Sequence, residues 1–247
     1  HAGVDYSGPP QGDVPVPAPI AAGAGGRPVV PVWVNRLGGV TFRLGDGEGR
    51  RFAKWAPAGS GLDLGAEAMR LRWAVDFTPV PRVLEHGVDC DGEWLLTEGL
   101  PGDSAVSPRW KADPGTAVRA LGAGLRALHD RLPVDDCPFS WSVERRRARD
   151  PELDFDLPAA PPVDRLVVCH GDACAPNTLL DEDGSWSAHV DLGALGAADR
   201  WADLAVGSWN LGFNYGPGWE DVYFDAYGVT PDPERIAFYR RLGGVSR

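Results

Sequence analysis

Where the hydrophobic period changes limits what this chain can fold into more than any other feature. Up to about residue 100 the apolar stretches are short, β-branched and separated by glycine: VVPVWVN, VTFRLG and RRFAKWA, with turns at Leu37-Gly38-Gly39 and Gly45-Asp46-Gly47. Such runs are expected to pair as successive antiparallel strands. LGAEAMRLRWAVD (64–76) interrupts them with helical spacing, and VPRVLEHGVD and GEWLLTEGL return to strand character. From Thr116 the period becomes helical, with Val118, Leu121, Leu125, Leu128 and Leu132 on one face. WADLAVGSWNL and PERIAFYRRL continue in the same mode. Strands first and helices afterwards predict an α+β chain with two lobes. Residues 29–99 form the N-terminal antiparallel-sheet lobe with one helix, and residues 100–247 a larger, mainly helical lobe. Residues 1–28, rich in Pro, Gly and Ala, are expected to be a flexible arm, and the charged segment 143–164 lacks a continuous apolar face.

Composition removes several functional classes. The 247 residues are 43% hydrophobic, ample for a core, and include no run of 18 apolar residues that could span a membrane. The net charge of −11 argues against a nucleic-acid binder, whose footprint is basic, and suits a cationic small ligand. The four cysteines, Cys90, Cys137, Cys169 and Cys174, form no CxxC pair and are expected to be reduced. The first residues lack the basic-then-apolar order of a signal peptide, so a cytoplasmic monomer is expected.

Residues 167–193, VVCHGDACAPNTLLDEDGSWSAHVDLG, bring Asp172, Asn177 and Asp191 close together in sequence. Singly, each suits a turn or a strand end. Together, His-Gly-Asp-x-x-x-x-Asn, a hairpin around Asp183-Gly184 and then Asp-Leu-Gly resemble the catalytic loop and metal-binding segment of the kinase fold. The hairpin folds Asn177 back towards Asp191, and an amide oxygen with a carboxylate suits Mg²⁺. Asp172 is left to orient a substrate hydroxyl and accept its proton. Upstream, Lys54 on a strand and Glu67 on the next helix are the candidate phosphate-holding pair. The Thr97 carbonyl and Gly99 amide are candidates to pair with adenine, and Gly38 and Gly39 form a minimal phosphate loop.

Over residues 29–240 the chain resembles the aminoglycoside phosphotransferases, antibiotic-resistance kinases with a protein-kinase-like fold. VVCHGDACAPNTLL, HVDLG, GAADRWADLA and PDPERIAFYRRL carry the resemblance. It implies ATP and Mg²⁺ as cofactors and an aminoglycoside as substrate. It also makes Asp203 and His170 structural supports of the catalytic loop. FAKWAPA resembles the streptomycin 3″-phosphotransferase subgroup. Kanamycin-type relatives tend to carry an Arg-Asp pair where this chain has Trp209-Asn210, with Asn214 one turn on, so these three residues are the expected drug contacts. The alternative is a 3′-phosphotransferase of kanamycin- or neomycin-type drugs. More distant readings are a small-metabolite kinase and a catalytically silent binding module of the same fold. The sequence departs from the family pattern at Ala194, where a cation often stands, in a short 138–166 segment, and in the ending RLGGVSR. A zinc site from Cys169, His170, Cys174 and His189 fits no ligand spacing.

Overall fold

The computed structural model describes residues 7–154 and 157–245. The chain divides into two units, His1–Val75 with Pro81–Leu100, and Asp76–Val80 with Pro101–Arg247.

In the first unit, helix α1 (Ala18–Ala24) precedes strands β1 (Val29–Val34), β2 (Val40–Leu44) and β3 (Arg51–Pro57). Helix α2 (Leu64–Ala74), β4 (Val83–Val88) and β5 (Gly92–Glu98) follow. The strands form one sheet in the order β1-β2-β3-β5-β4, every pair antiparallel. Lys54 lies opposite Leu95 and Ala53 opposite Leu96. The two-residue period therefore sorts them by face. Ala53 and Leu96 join Phe42 and Leu44 in a core with Ile20 and Ala24 of α1. Lys54 and Leu95 face the other way, where α2 packs across β4 and β5.

Residues 7–28 therefore depart from the expected flexible arm. Pro19 in the first helical turn suits its fixed φ, and Ile20, 1% exposed, seals the outer face of the sheet. Burying that side chain contributes about 2 kcal/mol. Residues 1–6 of the expected arm lie outside the described residues.

The second unit comprises β6 (Asp103–Ser104), α3 (Pro108–Lys111), α4 (Pro114–Arg131), α5 (Val143–Arg149), β7 (Leu166–Cys169), β8 (Thr178–Leu180), β9 (Trp186–His189), β10 (Gly196–Asp199), α6 (Trp201–Tyr215), α7 (Glu220–Tyr227) and α8 (Pro233–Leu242). Helix α4 starts where the Asp113 carboxylate accepts from the Thr116 amide. It lies tightly on α7 because a Cβ at Gly122 would stand 2.4 Å from the Tyr223 carbonyl. Helix α6 packs on α7 and α8. Two small sheets, β10-β7 and β6-β8-β9, carry the loops of interest. Residues 76–80 belong to this unit although they precede its main stretch, and the His189 amide donates to the Pro79 carbonyl at 3.2 Å. The segment 143–164, which lacks a continuous apolar face, holds the short helix α5, capped by Ser142, and a 3₁₀ turn at Pro151–Asp154 among its described residues.

Candidate active site

The chain leaves β7 through His170-Gly171-Asp172, and a buried carboxylate determines how it turns. Asp203, in the first turn of α6 and 1% exposed, accepts from the His170 amide at 2.7 Å and the Gly171 amide at 2.9 Å. His129 of α4 donates to it from Nε2 at 2.9 Å. Burial pushes the Asp203 carboxyl up, but the His129 hydrogen bond and charge, His170 and the Gly171 amide outweigh that and hold it below the carboxylate range. An ionised carboxylate only accepts, so His129 carries a proton on Nε2, and its Nδ1 is hydrogen-bonded to the Tyr227 hydroxyl at 2.8 Å. Burial raises the Tyr227 phenol to about 12, which keeps it a donor. Gly171 is required here: its φ is +86°, and a Cβ would lie 2.5 Å from the Ala194 carbonyl.

Both nitrogens of His170 are engaged. Nε2 donates to the Val190 carbonyl at 2.9 Å, and Nδ1 accepts from the Asp172 amide at 3.2 Å. The ring thus ties the loop to the segment after β9 and has no nitrogen left for a substrate proton.

The hairpin of β8 and β9 pairs Thr178 with His189, and the Asn177 carbonyl accepts from the Val190 amide at 2.9 Å. Asp191 is the next residue. Asn177 Nδ2 donates to the Asp172 carbonyl and to Asp172 Oδ2, each at 3.0 Å, and to Cys174 Sγ at 3.3 Å. These acceptors fix the amide's orientation and turn its oxygen away from Asp172. Asp191 has φ +64°, the only positive value among described non-glycine residues. That conformation costs about 1 kcal/mol and persists because buried Leu192 and Leu195 anchor the following turn. The donor set, one amide oxygen and one carboxylate, has the chemistry of a hard-cation site.

In the first unit, Lys54 Nζ lies 2.9 Å from Glu67 Oε1 and 3.0 Å from Oε2, with the carboxylate buried and the ammonium a quarter exposed. The strand and the helix bring the pair together as their order in the sequence predicts.

Residues 37–239 match the profile of the phosphotransferase enzyme family. An aminoglycoside 3′-phosphotransferase of Streptomyces fradiae is 35% identical, over 78% of this chain and 83% of the relative. The chain belongs to the aminoglycoside phosphotransferase family. A streptomycin 3″-kinase of Streptomyces griseus is also 35% identical, over 85% of this chain and 89% of that protein. Among solved structures, the aminoglycoside phosphotransferase APH(3'')-Id of Streptomyces rimosus, in complex with ADP and streptomycin, is similar with a TM-score of 0.66 and 30% identity, covering 84% of this chain and 90% of that one. The antiparallel N-terminal sheet and helical C-terminal unit are this family's kinase-like α+β architecture.

Within that family frame, several expected contacts differ. The Gly99 amide donates to the Arg50 carbonyl at 2.9 Å, so it is not presented to a base. Antiparallel alternation then turns the polar groups of Thr97 towards Phe52, its partner on β3. In the Gly38-Gly39 turn, Asn35 Oδ1 accepts from the Leu37 amide at 3.0 Å and the Gly39 amide at 2.9 Å, while the Gly38 amide donates to the Asn35 carbonyl. The turn is closed on itself rather than open to phosphate. Asn210 Oδ1 accepts from the Ala175 amide at 3.3 Å and from Asn214 Nδ2 at 2.8 Å, so the half-buried Asn210 amide braces the loop. Trp209 packs on Phe213 with ring centroids 5.2 Å apart.

The four residues of the rejected zinc reading form no ligand cluster, although the His170 and His189 rings lie with centroids 5.6 Å apart. Among the described residues, the clusters with metal-ligand spacing are His129-Cys169-Asp203 and Asp89-Cys90-Asp91. Burial, reinforced by His170, depresses the His189 imidazole, and burial raises the Cys169 thiol, as inert packed groups. Sequence reasoning missed His129. Its signal was weak: a histidine four residues after Leu125 on an apolar helix face.

Proposed function

We propose that this aminoglycoside phosphotransferase transfers the γ-phosphoryl group of ATP to the 3″-hydroxyl of streptomycin. In the transfer, the drug oxygen bonds to the γ-phosphorus, the bond to the β–γ bridging oxygen breaks, and ADP leaves. Asp172 orients the hydroxyl and accepts its proton. Its own place is set by Asn177 and by the His170 ring, so alignment rather than covalent chemistry supplies the rate. The Asn177 oxygen and the Asp191 carboxylate would hold Mg²⁺, which when bound neutralises charge on the phosphate oxygens. Lys54, directed by Glu67, holds phosphates.

What supports the drug choice is the aromatic pair on α6. Phe213 is 76% exposed, far beyond what a packing role requires, and its ring lies beside that of Trp209, tilted to it by 46°. Asn210 in the same helix touches the catalytic loop at Ala175, so the pair lies beside the chemistry. Streptomycin carries two guanidinium groups, which stack on aromatic faces; kanamycin-type drugs carry primary amines that gain less from such a surface. The 3′-hydroxyl reading has its own support, the identity to the Streptomyces fradiae enzyme, equal to that of the streptomycin kinase. Steady-state kcat/KM for streptomycin and kanamycin with ATP and Mg²⁺ separates them. A preference of about 10- to 100-fold for streptomycin is expected from two or three stacking contacts. A higher value for kanamycin would overturn the drug assignment.

A further inference from the structure

The first turn of α2 is anchored from outside the helix. A helix leaves its first four amides without internal partners. Here Asp63 Oδ1 accepts from Ala66 at 2.8 Å, and a residue far along the chain supplies two more acceptors. Glu93 of β5 accepts from the Leu64 amide through Oε2 at 3.0 Å and from the Gly65 amide through Oε1 at 2.6 Å. His86 of β4 donates from Nε2 to the same Oε1 at 2.6 Å. A negative group there also meets the positive end of the helix dipole.

We propose that Glu93, oriented by His86, is a positioning residue for nucleotide binding that acts through the Lys54–Glu67 pair. The inference rests on reading that pair as the phosphate-holding one. Glu67 is the fourth residue of α2, so it lies in the very turn that Glu93 secures. Gly65 makes this turn intrinsically weak, because glycine gives up the most backbone freedom on becoming helical. Glu93 shares the α2-facing side of β5 with Leu95, and Leu95 is the cross-strand partner of Lys54. One strand therefore registers both members: Lys54 through the β3–β5 ladder and Glu67 through the latch on its helix. Without the carboxylate the first turn frays, Glu67 loses its fixed reach, and Lys54 is no longer held at one position.

The test is a double-mutant cycle on the full chain, reading ATP KM, drug KM, kcat and thermal midpoint. Glu93→Gln should raise ATP KM about 10-fold while drug KM stays within about twofold. Glu67→Ala should raise ATP KM at least as much. The double variant should be no worse than Glu67→Ala alone, because both act on the same lysine. His86→Leu, which keeps the carboxylate and removes its donor, should give a smaller rise of about threefold, and His86→Gln, which keeps a donor, should lie nearer the parent protein. A purely structural Glu93 would lower the thermal midpoint and leave ATP KM unchanged or add to Glu67→Ala, and either result overturns the latch. If Glu67→Ala itself leaves ATP KM unchanged, the phosphate-holding reading falls and the latch with it.

Discussion

Replacing Asp203 with Asn isolates the contribution of one buried charge to the catalytic loop. The carboxylate accepts from His170 and His129 on one oxygen and from Gly171 on the other. The best placement of an asparagine keeps its oxygen towards His170 and His129 and points its NH₂ at the Gly171 amide. Two donors then face each other. The substitution loses one charge-assisted bond, leaves a buried N–H unpaired and weakens the two remaining bonds, for a total of about 3–6 kcal/mol. In a protein of this size that lowers the melting temperature by roughly 8–20 °C. The Gly171 amide is one residue from Asp172, so kcat should fall by about 10²-fold or more with folded protein at low temperature, since small misplacements are costly. Calorimetry with steady-state kinetics at 15–20 °C below the lowered midpoint is the assay. A melting temperature within about 2 °C of the parent and a kcat within about threefold would refute the reasoning. The pH dependence has a definite sign. Because the folded Asp203 carboxyl is held below its ordinary value, its contribution is complete above the unfolded pKa of about 3.9 and is lost as pH falls through the folded value. The gap between parent and Asp203→Asn should therefore be full at pH 7 and narrow below about pH 4.

Asp172→Asn should lower turnover by at least about 10²-fold while nucleotide binding measured by calorimetry persists; near-normal turnover would remove its catalytic assignment. Asn177→Ala and Asp191→Ala should weaken Mg²⁺-dependent nucleotide binding, Asp191→Ala more because it removes charge, and an active Asp191→Ala enzyme with its Mg²⁺ requirement intact would place the metal elsewhere. Phe213→Ala should lower kcat/KM for streptomycin about 5- to 10-fold and leave kanamycin turnover unchanged, and equal losses for both drugs would contradict guanidinium stacking. Alkylation at pH 8 should label exposed Cys90 first, half-buried Cys174 more slowly and buried Cys169 only on unfolding, since burial raises both of the latter thiols; labelling of Cys174 as fast as that of Cys90 would argue against its raised thiol.

The strands of the first unit were legible because each carries β-branched or aromatic residues between turns, and β1, β2, β3 and β5 lie where those runs stand. Helix α4 was legible from its five-residue apolar stripe. Helix α1 was not, because its buried face is only Ile20 and Ala24, too short for a period to register. The hairpin argument for Asn177 and Asp191 followed from chain order, and the Val190–Asn177 hydrogen bond places the two side by side in the ladder. Backbone directions did not follow. Residue types near Thr97 and Gly99 say that a strand ends there, but which carbonyl and amide face outward depends on ladder phase, and a one-residue change reverses it. The same limit applies to Asn35 and Asn210, whose side-chain oxygens serve nearby backbone amides. His129 and Glu93 escaped notice because their partners are 74 and 28–29 residues away.

The proposed reaction moves a phosphoryl group from ATP to one hydroxyl of streptomycin. Phosphorus-coupled NMR of the product, formed with ATP, Mg²⁺ and equimolar streptomycin and kanamycin, tests it most directly. A single new phosphate ester, on the 3″-oxygen of streptomycin, should appear in step with ADP formation. Phosphate found on kanamycin first, or ADP and inorganic phosphate with neither drug modified, would contradict it.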